Sequence, residues 1–353
     1  MNPLYLLGSF FLTGVTLYGL RPVAIRVGLV DIPGGRKTHI TETPLVGGLG
    51  IFLGMLIMSI LIPGALSQFG PFLSLSALVL FIGTVDDAKE LTAAARMTGH
   101  TLVALVMAVV AGIQLQSLGD IFYTGPITLG ILAIPFTVFA TVGVINAINM
   151  SDGIDGLSGG LVIVALGFIA VLALAAGDFA KTSFITMMIC STLAFLTLNF
   201  RRPWHRKALV YLGDAGSTML GFMLAWLLID STQGETALFS PVYALWFMAI
   251  PLFDTVTLLI KRPLAGISPF TPGTDHLHHH LLKRCLRVEW VVLLLTSSAI
   301  FLGIVGLLGI YFEASESFMF QLFLSLFVFY FLLSDKLKPA NTAGSGNYSR
   351  SQP

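Results

Sequence analysis

Charge is what this chain has least of: of 353 residues only 10% are Asp, Glu, Lys or Arg, while 56% are hydrophobic. A water-soluble domain carries roughly a quarter charged residues. Such scarcity excludes a surface that faces mostly water, and the mean hydropathy of +0.89 agrees. A net charge of +1 excludes the broad basic face of a nucleic-acid binder, so no nucleic acid is expected as a partner. Cysteine is scarce too. Cys190 lies in an apolar run and Cys285 in a basic loop, which suggests no disulfide and says little of compartment. A basic n-region is also missing ahead of the first apolar stretch, because Arg21 follows that stretch. Residues 1–20 therefore read as a first membrane span rather than a cleavable signal. Neither a long polar insertion nor a convincing internal repeat interrupts the rest.

What the chain does have is apolar runs about as long as a bilayer is thick, about 17–25 residues each. They fall at 3–25, 46–66, 71–85, 98–117, 127–148, 158–176, 182–199, 214–231, 241–260, 289–311 and 318–334. Backbone groups in lipid must be satisfied within each segment. The expected fold is therefore all-α: a polytopic transmembrane helical bundle of about eleven spans. Prolines inside the runs, such as Pro135 and Pro251, are expected to be tolerated without breaking them. The membrane domain covers 1–338, and the polar, Gly/Ser-rich tail 339–353 is expected to be disordered. Of the nineteen lysines and arginines, all but Lys181 fall in the loops after odd-numbered runs or in the tail. The positive-inside rule makes those loops cytoplasmic, with a periplasmic N-terminus and a cytoplasmic C-terminus.

The same loops collect the unusual polar residues. Asp86, Asp87 and Glu90 follow the third run, with Asp86 and Glu90 four apart and so on one face of a helix. Such carboxylates serve an oxygen-ligated cation such as Mg²⁺, or else form a solvated acidic loop. From Asn146 to Leu157 the chain reads NAINMSDGIDGL, placing Asn146, Asn149, Asp152 and Asp155 beside glycines that let backbone approach a ligand. Helix capping explains one Asp-Gly there, but two Asn and two Asp less well. Asp214 opens the eighth run, where a plain N-cap is the better local reading and a metal-ligand carboxylate the sharper one. Four of the seven histidines, His276, His278, His279 and His280, fall within five positions. No HExxH or cysteine pair favours zinc, whereas imidazoles beside Lys261 and Arg262 suit phosphate. Arg36, Lys37 and His39 form a small cation cluster that serves equally as a phosphate site or a positive-inside anchor. Carboxylates, amides, imidazoles and cations at one membrane face are the inventory of phosphoryl transfer. An interfacial site implies one lipid and one soluble substrate.

These stretches, in this order, resemble the polyprenyl-phosphate N-acetylhexosamine-1-phosphate transferase family, its WecA-like branch more than its MraY-like one. The matching stretches are Arg36-Lys37-Thr38-His39 with Pro44-Leu45-Val46-Gly47-Gly48, Asp86-Asp87, Asn146 to Leu157, Gly213-Asp214, and Ser268-Pro269-Phe270 with His276-Leu277-His278-His279. The resemblance implies transfer of an N-acetylhexosamine-1-phosphate, by default N-acetylglucosamine-1-phosphate, from a UDP-sugar to undecaprenyl phosphate, releasing UMP and initiating an envelope glycan such as O-antigen. It implies Mg²⁺, with Mn²⁺ as an alternative, on Asn149 and Asp214, with Asp86 beside the diphosphate and joining the metal set. Asp86, Asp87, Asp155, His276, His278 and His279 are then the expected catalytic groups. Lys37, His39, Asn146, Asp152, Asp155, Arg262 and His279 are the expected substrate contacts. Glu90 and His280 fall outside the family pattern. The implied setting is a bacterial inner membrane, in contact with membrane lipid and with the active site on the cytoplasmic face; a homodimer is left open. The rival from another class is a secondary transporter of an anionic solute. Transporters place substrate groups near the bilayer midplane in paired repeats, a pattern this sequence does not offer.

Overall fold

The computed structural model describes residues 3–31, 42–201, 207–268, 273–284 and 286–336. Lys37, His39 and the tail 339–353 lie outside these residues. In chain order the helices are α1 (Pro3–Val27), α2 (Gly47–Leu61), α3 (Ala65–Lys89), α4 (Ala93–Val109), α5 (Ala133–Ser151), α6 (Leu157–Ala175), α7 (Phe179–Asn199) and α8 (Gly213–Asp230). They continue with α9 (Pro241–Phe247), α10 (Ala249–Leu264), α11 (Leu277–Lys283), α12 (Val288–Tyr311) and α13 (Glu316–Ser334). Between α1 and α2 lies one antiparallel pair, β1 (Val30–Asp31) on β2 (Thr43–Pro44), with Val30 opposite Pro44 and Asp31 opposite Thr43. The Tyr211 N–H donates to the Pro44 carbonyl, tying this pair to the segment that enters α8.

A helix or helix pair sits in each of the eleven apolar runs. Among the described residues seven helices are long and apolar enough to cross a bilayer, eight if α9 and α10 form one broken span. Helices α2 and α4 are shorter. The described residues are thus nearly all-α, with the several apolar helices of a multi-pass membrane protein.

The run 241–260 differs from expectation: it bends by 88° between α9 and α10. Pro251 has no N–H for the Phe247 carbonyl four residues back, and its ring crowds that carbonyl, so one helix stops and another starts. Pro135 likewise sits in the first turn of α5, where no N–H is needed. Helix α4 ends at Val109, short of the run 98–117. The chain then turns at Gly112 (φ 73°) into an irregular cap that carries a Ser117–Thr128 bridge. Helix α3 is longer than its run and keeps Pro71 inside it, as lipid-embedded helices often do.

Helix α8 is the axis of the bundle. Every residue from Ala215 to Ile229 is buried, against α2, α3, α5, α6 and α9. Small residues make this enclosure possible. A Cβ on Gly83 of α3 would lie 2.4 Å from Ala215 Cα, and one on Gly48 of α2 would lie 2.3 Å from Gly216 Cα. Backbone therefore meets backbone at the end of α8 that carries Asp214.

Candidate active site

Asp214 is the second residue of α8, not its cap: Leu212 holds the cap position with no side-chain hydrogen bond. The orphan amides are satisfied from another helix. Asp87 of α3 accepts the Asp214 N–H at 2.8 Å and the Ala215 N–H at 3.1 Å. A carboxylate suits the positive end of a helix dipole, and this one joins α3 to α8. The Asp214 side chain is left for other partners. Its Oδ1 accepts Asn149 Nδ2 at 2.6 Å, and Asn149 also donates to Ser217 Oγ at 2.9 Å.

Asp86, one residue before Asp87, is 4% exposed. It accepts the Leu91 N–H at 2.7 Å and Arg96 Nη1 at 3.0 Å. The same Arg96 nitrogen is 3.7 Å from Asp214 Oδ2. The guanidinium therefore bridges the carboxylates of α3 and α8. Glu90 takes no part; it lies past the end of α3 at φ 50° and is exposed. Asn146 points elsewhere, donating to the Val142 carbonyl at 2.7 Å in its own helix and meeting Met97 Sδ at 3.5 Å.

Beyond α5 the chain makes the turn that carries Asp152 and Asp155. Asp152 accepts the Ser158 hydroxyl at 2.6 Å. Burial pushes its carboxyl well above the usual carboxylate range, and the negative charges of Asp214, Asp155 and Asp87 add to this against the Ser158 bond. Asp155 pairs with Arg201 at the end of α7. Asn199 accepts the Gly156 N–H at 2.7 Å and donates to the Val210 carbonyl at 3.0 Å, locking this turn to the entry of α8.

The histidines sit on α11 and its cap, and they pack onto that turn. His278 is 2% exposed, and a Cβ on Gly153 would lie 2.1 Å from its Nε2. That Nε2 is buried without a hydrogen-bond partner. The His278 ring stacks near His276 (5.4 Å between centroids) and touches His279 (4.3 Å). Burial first, then the neighbouring His279, lowers His278 to about 3; burial and His276 lower His279 to about 4. Both rings are neutral near pH 7. Arg262 is 5% exposed and grips Asp275 with two bonds, of 2.9 and 2.7 Å. Burial alone would raise the Asp275 carboxyl, but Arg262 more than offsets it and holds it low.

Could these residues hold a divalent cation? Asp86 and Asp214 face one positive group, and the Asn149 amide, turned about its last torsion, would offer an oxygen beside them. Among the described residues no three His, Cys, Asp or Glu side chains form a ready cage. One or two carboxylates completed by substrate phosphates is how Mg²⁺ is usually held, and the donors are all oxygen. The residues fit the ion.

Structure thus brings together Asp86, Asp87, Asn149 and Asp214 in one group and Asp152, Asp155, His276, His278 and His279 in a second, adjoining one. Sequence reasoning missed Arg96 and Arg201, which counted only as topology signals, and took Gly153 for a place where backbone approaches a ligand, whereas what lies against it is His278. Asp254, which accepts from His276, was also passed over. A lone charge inside an apolar run is a functional pointer in its own right, and that signal was present.

The family model described as "Glycosyl transferase family 4" matches residues 69–232, which hold both carboxylate groups. Curated relatives extend the likeness over most of the chain. A protein of Haemophilus influenzae (strain Rd) is 38% identical over 92% of this chain and 90% of its own length. One of Escherichia coli K12 is 36% identical over 92% and 89%, and one of Yersinia pestis is 36% identical over 85% and 82%. Each is named undecaprenyl-phosphate alpha-N-acetylglucosaminyl 1-phosphate transferase.

Proposed function

The chain belongs to glycosyl transferase family 4, and from that premise we propose that it transfers N-acetylglucosamine-1-phosphate from UDP-N-acetylglucosamine to undecaprenyl phosphate, releasing UMP. A lipid-phosphate oxygen attacks the sugar-proximal phosphorus as the bond to UMP breaks. One phosphoanhydride replaces another, so the step is near balance and downstream use must draw it forward. The observation that carries the reading is the meeting of α3, α5 and α8 at Asp86, Asn149 and Asp214.

Asp214, Asn149 and Asp86 would hold Mg²⁺, or Mn²⁺ in its place, which neutralises phosphate charge when bound. Asp87 keeps α8, and so Asp214, in place beside the reacting phosphates. Asp152 and Asp155 line the nucleotide–sugar side, with Asp155 fixed by Arg201. The neutral imidazoles of α11 close over the substrate as hydrogen-bond donors or acceptors, and Arg262 holds that loop through Asp275. Lys37 and His39 are kept as phosphate contacts on sequence grounds. The alternation of lysine and arginine supports eleven spans in a bacterial inner membrane, N-terminus outside and active site on the cytoplasmic face. The product would start an envelope glycan such as O-antigen.

Purified protein should release UMP from UDP-N-acetylglucosamine only when undecaprenyl phosphate and Mg²⁺ are both present. Asp214→Ala should lower that rate at least about 10²-fold; substantial residual turnover counts against the assignment. Label from the donor trapped on the protein without lipid would replace direct attack with a two-step route.

A further inference from the structure

Asp254 is a carboxylate in the apolar sequence of α10, and nothing in the transfer scheme uses it. It is 8% exposed, and three donors from outside α10 converge on it. Its Oδ2 lies 2.7 Å from His276 Nδ1. Its Oδ1 accepts the Leu277 N–H at 2.9 Å and the Tyr330 hydroxyl of α13 at 3.3 Å. Buried charge in a membrane protein is costly and is kept where it is paired or used. Here the pairing has a chemical consequence. An ionised carboxylate can only accept, so His276 Nδ1 must carry the hydrogen. No hydrogen bond is made to His276 Nε2 among the described residues, and that ring lies against His278, which abuts the Gly153 turn.

We propose that Asp254 is a positioning residue that holds His276 in its Nδ1–H form and so presents Nε2 as an acceptor for the O–H proton of the lipid phosphate, while Tyr330 fixes the rotation of the carboxylate. The proposal rests on the reading that the histidine loop closes over substrate. A carboxylate behind an imidazole fixes its tautomer and steadies its protonated form in unrelated hydrolases; here the same chemistry would serve a group facing phosphate.

A purely mechanical role, anchoring α11 through Leu277, predicts something different, and Asp254→Asn separates the two. In that variant the Leu277 N–H and the Tyr330 O–H both require the amide oxygen where Oδ1 now lies. The amide nitrogen is then forced toward His276 Nδ1, which must become the acceptor, moving the ring hydrogen to Nε2. The anchor survives while the tautomer is reversed.

The experiment uses the full-length protein in detergent or nanodiscs with ¹⁵N-labelled histidine. Seven histidines are present, and the His276 signals are identified by their loss in His276→Gln. In the wild type, Nε2 should resonate as the unprotonated nitrogen and Nδ1 as the protonated one, and Asp254→Asn should exchange them. Its kcat should fall about 10²-fold or more with KM within about twofold and an unchanged unfolding temperature. Tyr330→Phe should lose about two- to fivefold in kcat. Unexchanged signals, or an Asp254→Asn enzyme with wild-type kcat, would overturn the proposal. So would a loss confined to KM or to stability. The nitrogen spectra need no turnover. A wild type that shows the expected tautomer but does not act on UDP-N-acetylglucosamine would therefore sink the transferase reading alone.

Discussion

Gly153→Ala puts the packing of the histidine loop to a quantitative test. Gly153 does not sit at positive φ, so alanine meets no backbone penalty there. What it meets is His278: the new Cβ would lie 2.1 Å from Nε2, 2.9 Å from Cε1 and 3.1 Å from Cδ2, where ordinary contact begins near 3.4 Å. Something must yield by about 1.3 Å. The imidazole has little room to rotate, being 2% exposed with His279 at 4.3 Å and His276 stacked at 5.4 Å. Displacement therefore passes to α11 as a lift of about 1 Å. A misplacement of that size at a reacting centre costs on the order of 10²-fold in rate, or about 2.7 kcal/mol of barrier. Overpacking should also cost about 1–3 kcal/mol of local stability. The assay is initial-rate UMP release at saturating donor and lipid, with thermal unfolding measured alongside. We expect kcat to fall about 10²-fold. Placed on His278→Ala, the same substitution should add almost nothing, because the clashing ring is gone. Wild-type kcat in Gly153→Ala, or full additivity on His278→Ala, would refute the reasoning.

Two further outcomes follow from the geometry. Asp87→Ala leaves the Asp214 and Ala215 amides without their acceptor, so stability should drop by about 1–2 kcal/mol and Mg²⁺ affinity with it, while Asp87→Asn, keeping one acceptor oxygen, should recover part of both by calorimetric titration. Acidification should open the histidine loop. His278 titrates at about 3 in place against 6.5 ordinarily, so its contribution is intact above about pH 6.5 and is lost as pH falls toward 3, at up to ~1.4 kcal/mol per pH unit. Asp152, whose value is raised, works in the opposite sense, losing its contribution as pH rises. The difference between wild type and His278→Asn in thermal unfolding, followed from about pH 8 to about pH 5, isolates the histidine; parallel curves would contradict the burial argument.

The membrane bundle was legible because lipid imposes one rule on every span, and eleven apolar runs obey it. Its breaks were less so. Pro251 and Pro135 each stand third in their helix, yet the first follows another helix across an 88° bend and the second follows only a short turn; the residue itself does not tell them apart. The candidate site was readable as a residue inventory, since Asp, Asn and His clusters stand out against apolar sequence. Their division of labour was not. Asp214 read locally as a cap, and the actual cap, Asp87, lies 127 residues earlier, a separation no local pattern spans. Arg96 was hidden for a different reason: a basic residue at a membrane edge already has an explanation in topology, so its bridge between two carboxylates added no visible excess.

Enclosing α8 on every side from Ala215 to Ile229 also decides what the surrounding bilayer can and cannot reach. Lipid presses instead on the rim, where α1 and α13 leave most of their surface bare. The post that bears Asp214 is gripped by its protein neighbours, whereas α13 joins the lipid-facing rim to Asp254 through Tyr330. The Asp214 side of the site is thereby kept from direct contact with lipid, while its histidine side leans on a helix that lipid touches.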